Sequence, residues 1–246
     1  MGLPTCRPRL APSAERTCSI RGCYSPALAL RLGEQTAAAD SAHDVVTNDV
    51  SLDADRAILI LTGPNQGGKT TYMRSVGLVH VLCQAGLPVP GRSARVSAVD
   101  SIHTHFPRSE RVDLESGRFA DEMRRLRDIF AHATPASLIL LNESLTATSA
   151  RESLELAREV VGALQVLGAR AVYTTHLYEL AAEADAFNAR TSGPGRVGSL
   201  VARPGSSFKI EPGPPAGSSH AREVAARFGV SYDQLVDVLR GRKIVP

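Results

Sequence analysis

Residues 57–62, AILILT, are apolar without a break until Gly63. A strand buried on both faces reads this way. Two more such runs follow: SLILL at 137–141, and ARAVYTT at 169–175, which ends against His176. Between them the apolar positions change to a helical spacing. Met73, Val76, Val79, Leu82 and Cys83 predict a helix over 70–85. Phe119, Met123, Leu126, Ile129 and Phe130 predict a second helix, ended before Pro135, and Leu154, Ala157, Val160, Val161 and Leu164 predict a third over 150–167. Strands alternating with helices imply an α/β fold with a parallel sheet covered by helices. Upstream, 43–52 (HDVVTNDVSL) reads as an edge strand and 37–43 as a loop. Downstream, 196–202 and 207–210 read as a short hairpin, 213–219 as a loop, and 220–229 and 232–240 as two short helices. Residues 1–23 carry no strong period and are expected to be poorly structured, with one domain over 24–246.

Composition narrows this only a little. Hydrophobic residues are 43% of 246, enough for a core, but aromatics are 4% and tryptophan is absent, so Leu, Val, Ile and Ala must fill it. A formal charge of +3 does not mark a nucleic-acid binder. Cys6, Cys18, Cys23 and Cys83 have no metal-ligand spacing and read as reduced thiols of a cytoplasmic protein. No run of 18 apolar residues predicts a membrane span, and the first ten residues have no signal-peptide core.

The chemistry is concentrated after the first strand. GPNQGGKT, residues 63–70, fits G-x-x-x-x-G-K-[ST] between a strand and a helix. In such a loop, glycines let backbone N–H groups converge on phosphate oxygens, and the helix N-terminus faces the same oxygens. Gly63, Pro64, Asn65, Gln66, Gly67, Gly68, Lys69, Thr70 and Thr71 are therefore the candidate ATP-binding residues. Lys69 would reach the outer phosphates, and the Thr70 hydroxyl would ligate Mg²⁺. At the end of the next buried strand stand Asn142 and Glu143. Asn142 holds the position of a metal-side aspartate but brings no charge, so it would act through a metal-bound water or Thr70. Glu143 is placed to polarise an attacking water. His176, at the end of the third strand, could contact the terminal phosphate or position the water. The hydroxyls of TATS, 146–149, either cap the following helix or cross an interface. The arginines of 124–127 are interspersed with acidic residues and read as a solvated or interfacial helix face.

TGPNQGGKTTYMRSVGL, starting at Thr62, resembles the ATPase domain of the MutS family of DNA mismatch repair proteins, which typically reads TGPNMGGKST. VVTNDVSL resembles that family's VxNDxxL, NESLTATS its DExGRGTS, and YTTHLYEL its ATHxxEL. GPPAGSSHAREVAARFGVSYDQLV is similar to the family's closing segment. The likeness runs from about residue 24 to 240. It implies a P-loop NTPase of ABC-type ATPase architecture: a central, mostly parallel sheet flanked by helices, a short antiparallel element and small C-terminal helices. It also implies binding and hydrolysis of ATP with Mg²⁺ in a head-to-tail homodimer. By the same resemblance Asn65 lies toward the base or ribose, Gln66 stands at the usual Met, Glu143 is the catalytic carboxylate, His176 is the switch histidine, and Thr148 and Ser149 face the partner subunit.

Two departures qualify the resemblance. The family's partner-facing G-x-S-T-F is here ESGRF, with Ser116 and Gly117 as the nearest substitutes. With Asn142, this predicts slow or partner-dependent hydrolysis and a divergent bacterial branch. Only about 23 residues precede the likeness, leaving no room for mismatch-reading, lever or clamp domains. DNA contact is then expected only through additional domains or a partner protein. The alternative from another class is a nucleotide-dependent interaction or regulatory module with little turnover and no direct DNA binding. A transporter ATPase would carry LSGGQ, which is missing, and a kinase would need an acceptor site that the sequence does not offer.

Overall fold

The computed structural model describes residues 3–36, 45–107, 117–190, 193–203, 207–215 and 228–242. The chain divides into two compact units, Met1–Pro215 and Ala216–Pro246. In the first, the order is β1 (Thr5–Cys6), β2 (Arg9–Ala11), β3 (Cys18–Cys23), α1 (Pro26–Thr36), β4 (Asn48–Leu52), β5 (Ile58–Thr62) and α2 (Lys69–Gln84). Then come β6 (Val89–Pro90), β7 (Ser93–Ser97), β8 (Ile102–His105), α3 (Arg118–His132), β9 (Leu138–Asn142), α4 (Ala150–Leu167) and β10 (Arg170–Thr174). α5 (Tyr178–Ala182), α6 (Ala184–Arg190), β11 (Val197–Ala202) and β12 (Ile210–Pro212) complete it. The second unit contributes α7 (Tyr232–Gly241), started by a capping box of Ser231 and Gln234.

The main sheet has the order β12-β11-β5-β10-β9-β8. Its strands are parallel except β12, which runs back antiparallel on β11. This is a mixed α/β fold of P-loop NTPase-like architecture, with a mostly parallel sheet flanked by helices. Every residue of β5, β9 and β10 is buried, as their unbroken apolar runs require. Alternate residues feed two cores. Leu59 and Leu61 pack with Met73, Val76 and Val79 of α2, while Ile58 and Ile60 pack with Ala157, Val161 and Leu164 of α4. Each such Leu or Ile contributes roughly 1.5–3 kcal/mol by leaving water. α4 is bounded by a Ser149–Glu152 capping box and by Gly168 in the left-handed region.

The N-terminal expectation is corrected. Residues 1–23 were expected to be poorly structured, yet they contain β1, β2 and β3. β3 lies inside a second sheet of order β2-β7-β3-β4. Burial alternates from Cys18 to Arg21, with Cys18 and Ile20 inward, and an irregularity between Ile20 and Cys23 shifts the phase so that Cys23 is buried too. Prolines at 4, 8 and 12 and interleaved arginines keep the apolar runs too short to show a period. Burial pushes the Cys18 and Cys23 thiols up to about 12, so both are inert. β4 is an edge strand, as read from its sequence. The short strands β6, β7 and β8 and helices α1, α5 and α6 were not foreseen. The loop predicted at 37–43 lies outside the described residues, as does nearly all of the helix predicted at 220–229.

One side chain fastens the two sheets together. Arg170, 1% exposed at the start of β10, donates to the backbone carbonyls of Thr17, Ser97 and Ala98 at 3.1–3.2 Å.

Candidate functional site

The loop 63–68 leaves the carboxyl end of β5 and turns into α2. Gly63 has φ 139°, and a Cβ there would lie 2.7 Å from the Ala202 carbonyl oxygen, so only glycine fits. Gly68, at φ 85°, opens α2. Lys69 is 4% exposed, and its ammonium donates to the carbonyls of Gly63 at 2.9 Å and Pro64 at 3.0 Å. Burial lowers its pKa, and the Glu143 carboxylate pushes it back up. Asn65 and Gln66 are exposed at the loop's tip.

The end of β9 meets the start of α2. The Asn142 side-chain oxygen accepts from Thr70 Oγ1 at 2.8 Å and from Thr174 Oγ1 at 2.9 Å. Next to it, His176 Nε2–H donates to Glu143 Oε1 at 2.8 Å. That hydrogen bond holds the Glu143 carboxyl below the usual carboxylate range, against burial, and the charges of His176 and Lys69 add to it. The backbone N–H of Glu143 donates to the Thr174 carbonyl.

The segment after Glu143 has an unusual course. Glu143 has φ 48° and Leu145 φ 70°, both left-handed and neither a glycine. Each such residue costs about 1 kcal/mol or more. Neighbours hold the segment in place. Ser144 Oγ pairs with His105 Nδ1 at 2.6 Å, the Ser144 carbonyl accepts from Tyr173 OH at 3.1 Å, and Leu145 N–H donates to Glu122 Oε1 at 2.7 Å. Leu145 itself is 1% exposed and packs into the α4-side core.

A cleft of about 840 Å³ opens over the loop. Residues 65–71 and Glu143 line it, together with the largely apolar group of Tyr24, Leu28, Leu32, Val45 and Val46. Phe208 also lines the cleft, close above Gly68. Asn48 sets the Phe208 segment: its Nδ2 donates to the Phe208 carbonyl, and its Oδ1 accepts from Ile210 N–H. The size suits a ligand as large as a nucleotide.

The structure thus gathers Gly63 to Thr71, Asn142, Glu143 and His176 at one end of the parallel sheet. It does not bring the other candidates there. Ser116 lies outside the described residues, and Gly117 is exposed at the start of α3. The hydroxyls of Thr148 and Ser149 both donate to the Glu152 carboxylate at the head of α4, the capping role foreseen as one alternative. Glu122, His105, Tyr173 and Phe208 were missed. Phe208 stood within the predicted hairpin, but nothing marked it, and Asn48 lay inside the VxNDxxL-like segment without a role.

A family model described as MutS domain V matches residues 59–201. The chain belongs to the MutS family. DNA mismatch repair protein MutS of Granulibacter bethesdensis is 39% identical over 135 residues, 54% of this chain and 15% of that protein. DNA mismatch repair protein MutS 2 of Halobacterium salinarum is 41% identical over 143 residues, 57% of this chain and 16% of that protein. DNA mismatch repair protein MutS of Geobacillus kaustophilus is 34% identical over 171 residues, 69% of this chain and 18% of that protein. The chain spans less than a fifth of these MutS relatives. Leu145, which stands where the similar motif DExGRGTS has its first glycine, is left-handed at φ 70° in spite of its side chain. Among the described residues no helix is long and apolar enough to cross a membrane.

Proposed function

We propose that this chain binds ATP with Mg²⁺ and hydrolyses it, serving as the ATPase part of a MutS-type DNA-repair protein in the cytoplasm. One observation carries the reading. The buried Lys69 ammonium, the Thr70 hydroxyl and the His176-bound Glu143 carboxylate converge where the loop 63–68 enters α2. Two loop carbonyls now hold the ammonium, an interaction that phosphate oxygens would replace with charge-assisted ones. The apolar lining and Phe208 suit the flat face of a base.

Thr70 and Asn142 would hold Mg²⁺, Asn142 through water; the ion would neutralise phosphate charge. Both donors are neutral, and Mg²⁺ sites usually include a carboxylate and substrate phosphates. The ion would therefore arrive with the nucleotide. Glu143 accepts a proton from the attacking water, and His176 orients the carboxylate by its hydrogen bond. The second sheet beside the parallel one supports an ABC-type architecture, and with it a head-to-tail homodimer. In that pair Ser116, Gly117, Thr148 and Ser149 face the partner subunit, and DNA is contacted only through additional domains or another protein.

A second reading, a nucleotide-switched interaction module with little turnover, is favoured by Asn142. It adds no negative charge, and its oxygen already accepts two hydroxyls. One experiment separates the readings: ATP binding and steady-state hydrolysis by the full chain and three variants. Lys69→Ala is expected to abolish tight binding. Glu143→Gln is expected to keep binding and lower turnover on the order of a hundredfold or more, the range of general-base catalysis. Unchanged ATP affinity in the first, or unchanged turnover in the second, would refute the assigned role. Asn142→Asp should raise turnover if the missing charge limits it; binding without turnover in every form supports the module.

A further inference from the structure

We infer that Glu122 is a positioning residue for Glu143: carried by α3, its carboxylate holds the peptide just beyond the base and so sets where the base points. The inference rests on the reading of Glu143 as the base. Residues 143–146 contain no glycine, and two of the first three are left-handed, so the segment does not hold its shape by itself. Two ties fasten it at Ser144, and both come from the main sheet: His105 on β8 and Tyr173 on β10. The tie at Leu145 is different in kind. It is a carboxylate accepting a backbone N–H at 2.7 Å, hence charge-assisted, and it comes from a helix.

That helix is itself anchored at the rim of the site. Arg125 Nη2–H donates to the Phe106 carbonyl at 2.9 Å, and Leu126 and Ile129 are buried beneath α3. The Arg74 guanidinium of α2 lies 5.1 Å from the centre of the Phe106 ring. Glu122 and Glu143 line one small cavity of about 50 Å³ with His105, Asp121 and Arg125. Glu122 can act there in two ways. As a charge, it would disfavour ionised Glu143. As a hydrogen-bond acceptor, it keeps Leu145 left-handed and Glu143 turned toward His176. The short Leu145–Glu122 bond favours the second, and a glutamine at 122 would retain the acceptor without the charge.

The test compares the full chain with Glu122→Ala and Glu122→Gln in steady-state ATP hydrolysis. The alanine variant is expected to lose on the order of ten- to a hundredfold in kcat, as small misplacements of a reacting group do, with KM for ATP unchanged. The glutamine variant should recover most of that loss. Unchanged kcat in Glu122→Ala overturns the inference, and so does a glutamine variant as poor as the alanine one. A joint loss of kcat, ATP affinity and thermal stability reduces Glu122 to a structural role and also overturns it. Failure of the underlying reading shows elsewhere: Glu143→Gln then turns over like the parent chain. A parent that Glu143→Gln disables and Glu122→Ala leaves intact removes only the positioning role.

Discussion

Two loops at the same end of the sheet reach unusual backbone shapes with different shares of glycine. The loop 63–68 does so mainly with glycine: Gly63 and Gly68 take positive φ at no side-chain cost, and of its other residues Gln66 alone, at φ 63°, is left-handed with a side chain. The segment 143–145 has no glycine, yet Glu143 and Leu145 are left-handed. Its conformation is imposed by Glu122, His105 and Tyr173. The first loop carries its shape in its own residues, while the second borrows it from elements distant in sequence. A loop of the second kind also passes any movement of its supports on to the residue it carries, here Glu143.

The comparison can be broken most forcefully at Gly63. Gly63→Ala would add a methyl group 2.7 Å from the Ala202 backbone at φ 139°. Destabilisation of about 3 kcal/mol or more is expected, with ATP binding lost. Chemical denaturation and ATP titration would check both, and a variant that behaves like the parent would show that the loop adjusts easily. Next in size is Leu145. Leu145→Ala removes a buried side chain and keeps the strained φ, at a cost of about 2–5 kcal/mol. Leu145→Gly loses the same packing but relieves about 1 kcal/mol of left-handed strain, so it should be the more stable of the two. The reverse order in urea denaturation would mean that the segment stores no strain.

The smallest effect concerns pH. The His176 hydrogen bond depresses the Glu143 pKa in the folded chain. The stabilisation from that pair is therefore present above the ordinary glutamate pKa and lost as pH falls through the depressed one. His176→Ala removes the bond, so the Glu143 pKa should rise and the acid limb of kcat/KM should move to higher pH. A limb that stays in place would assign it to another group.

The same contrast explains what could be read from the sequence. β5, β9, β10, α2 and α4 announced themselves through unbroken or helically spaced apolar residues, and the loop 63–70 through its own glycines, lysine and threonine. Each of those signals is local. The second sheet is not local: β3 pairs with β7, more than 70 residues away, and its strands are short and interrupted by arginine and proline. The supports of residues 143–145 were equally hidden. Glu122 is one of several charges on its helix, and only the fold shows that it meets the Leu145 N–H. Thr148 and Ser149 left two alternatives open, and the capping box at α4 realises the first within the single chain.

The Arg170 clasp bears on the order in which a growing chain can assemble. Its acceptors sit at Thr17, Ser97 and Ala98, and the side chain that joins them is made last. β2, β3, β4 and β7 are all synthesised by residue 97, so the smaller sheet can pair while most of the larger one is still unmade. The Thr17 carbonyl already accepts from Ser97 N–H at 2.8 Å, and the Arg170 guanidinium adds a second donor to it once residue 170 is made. Fastening the two sheets is thus a late event, timed by the arrival of one guanidinium.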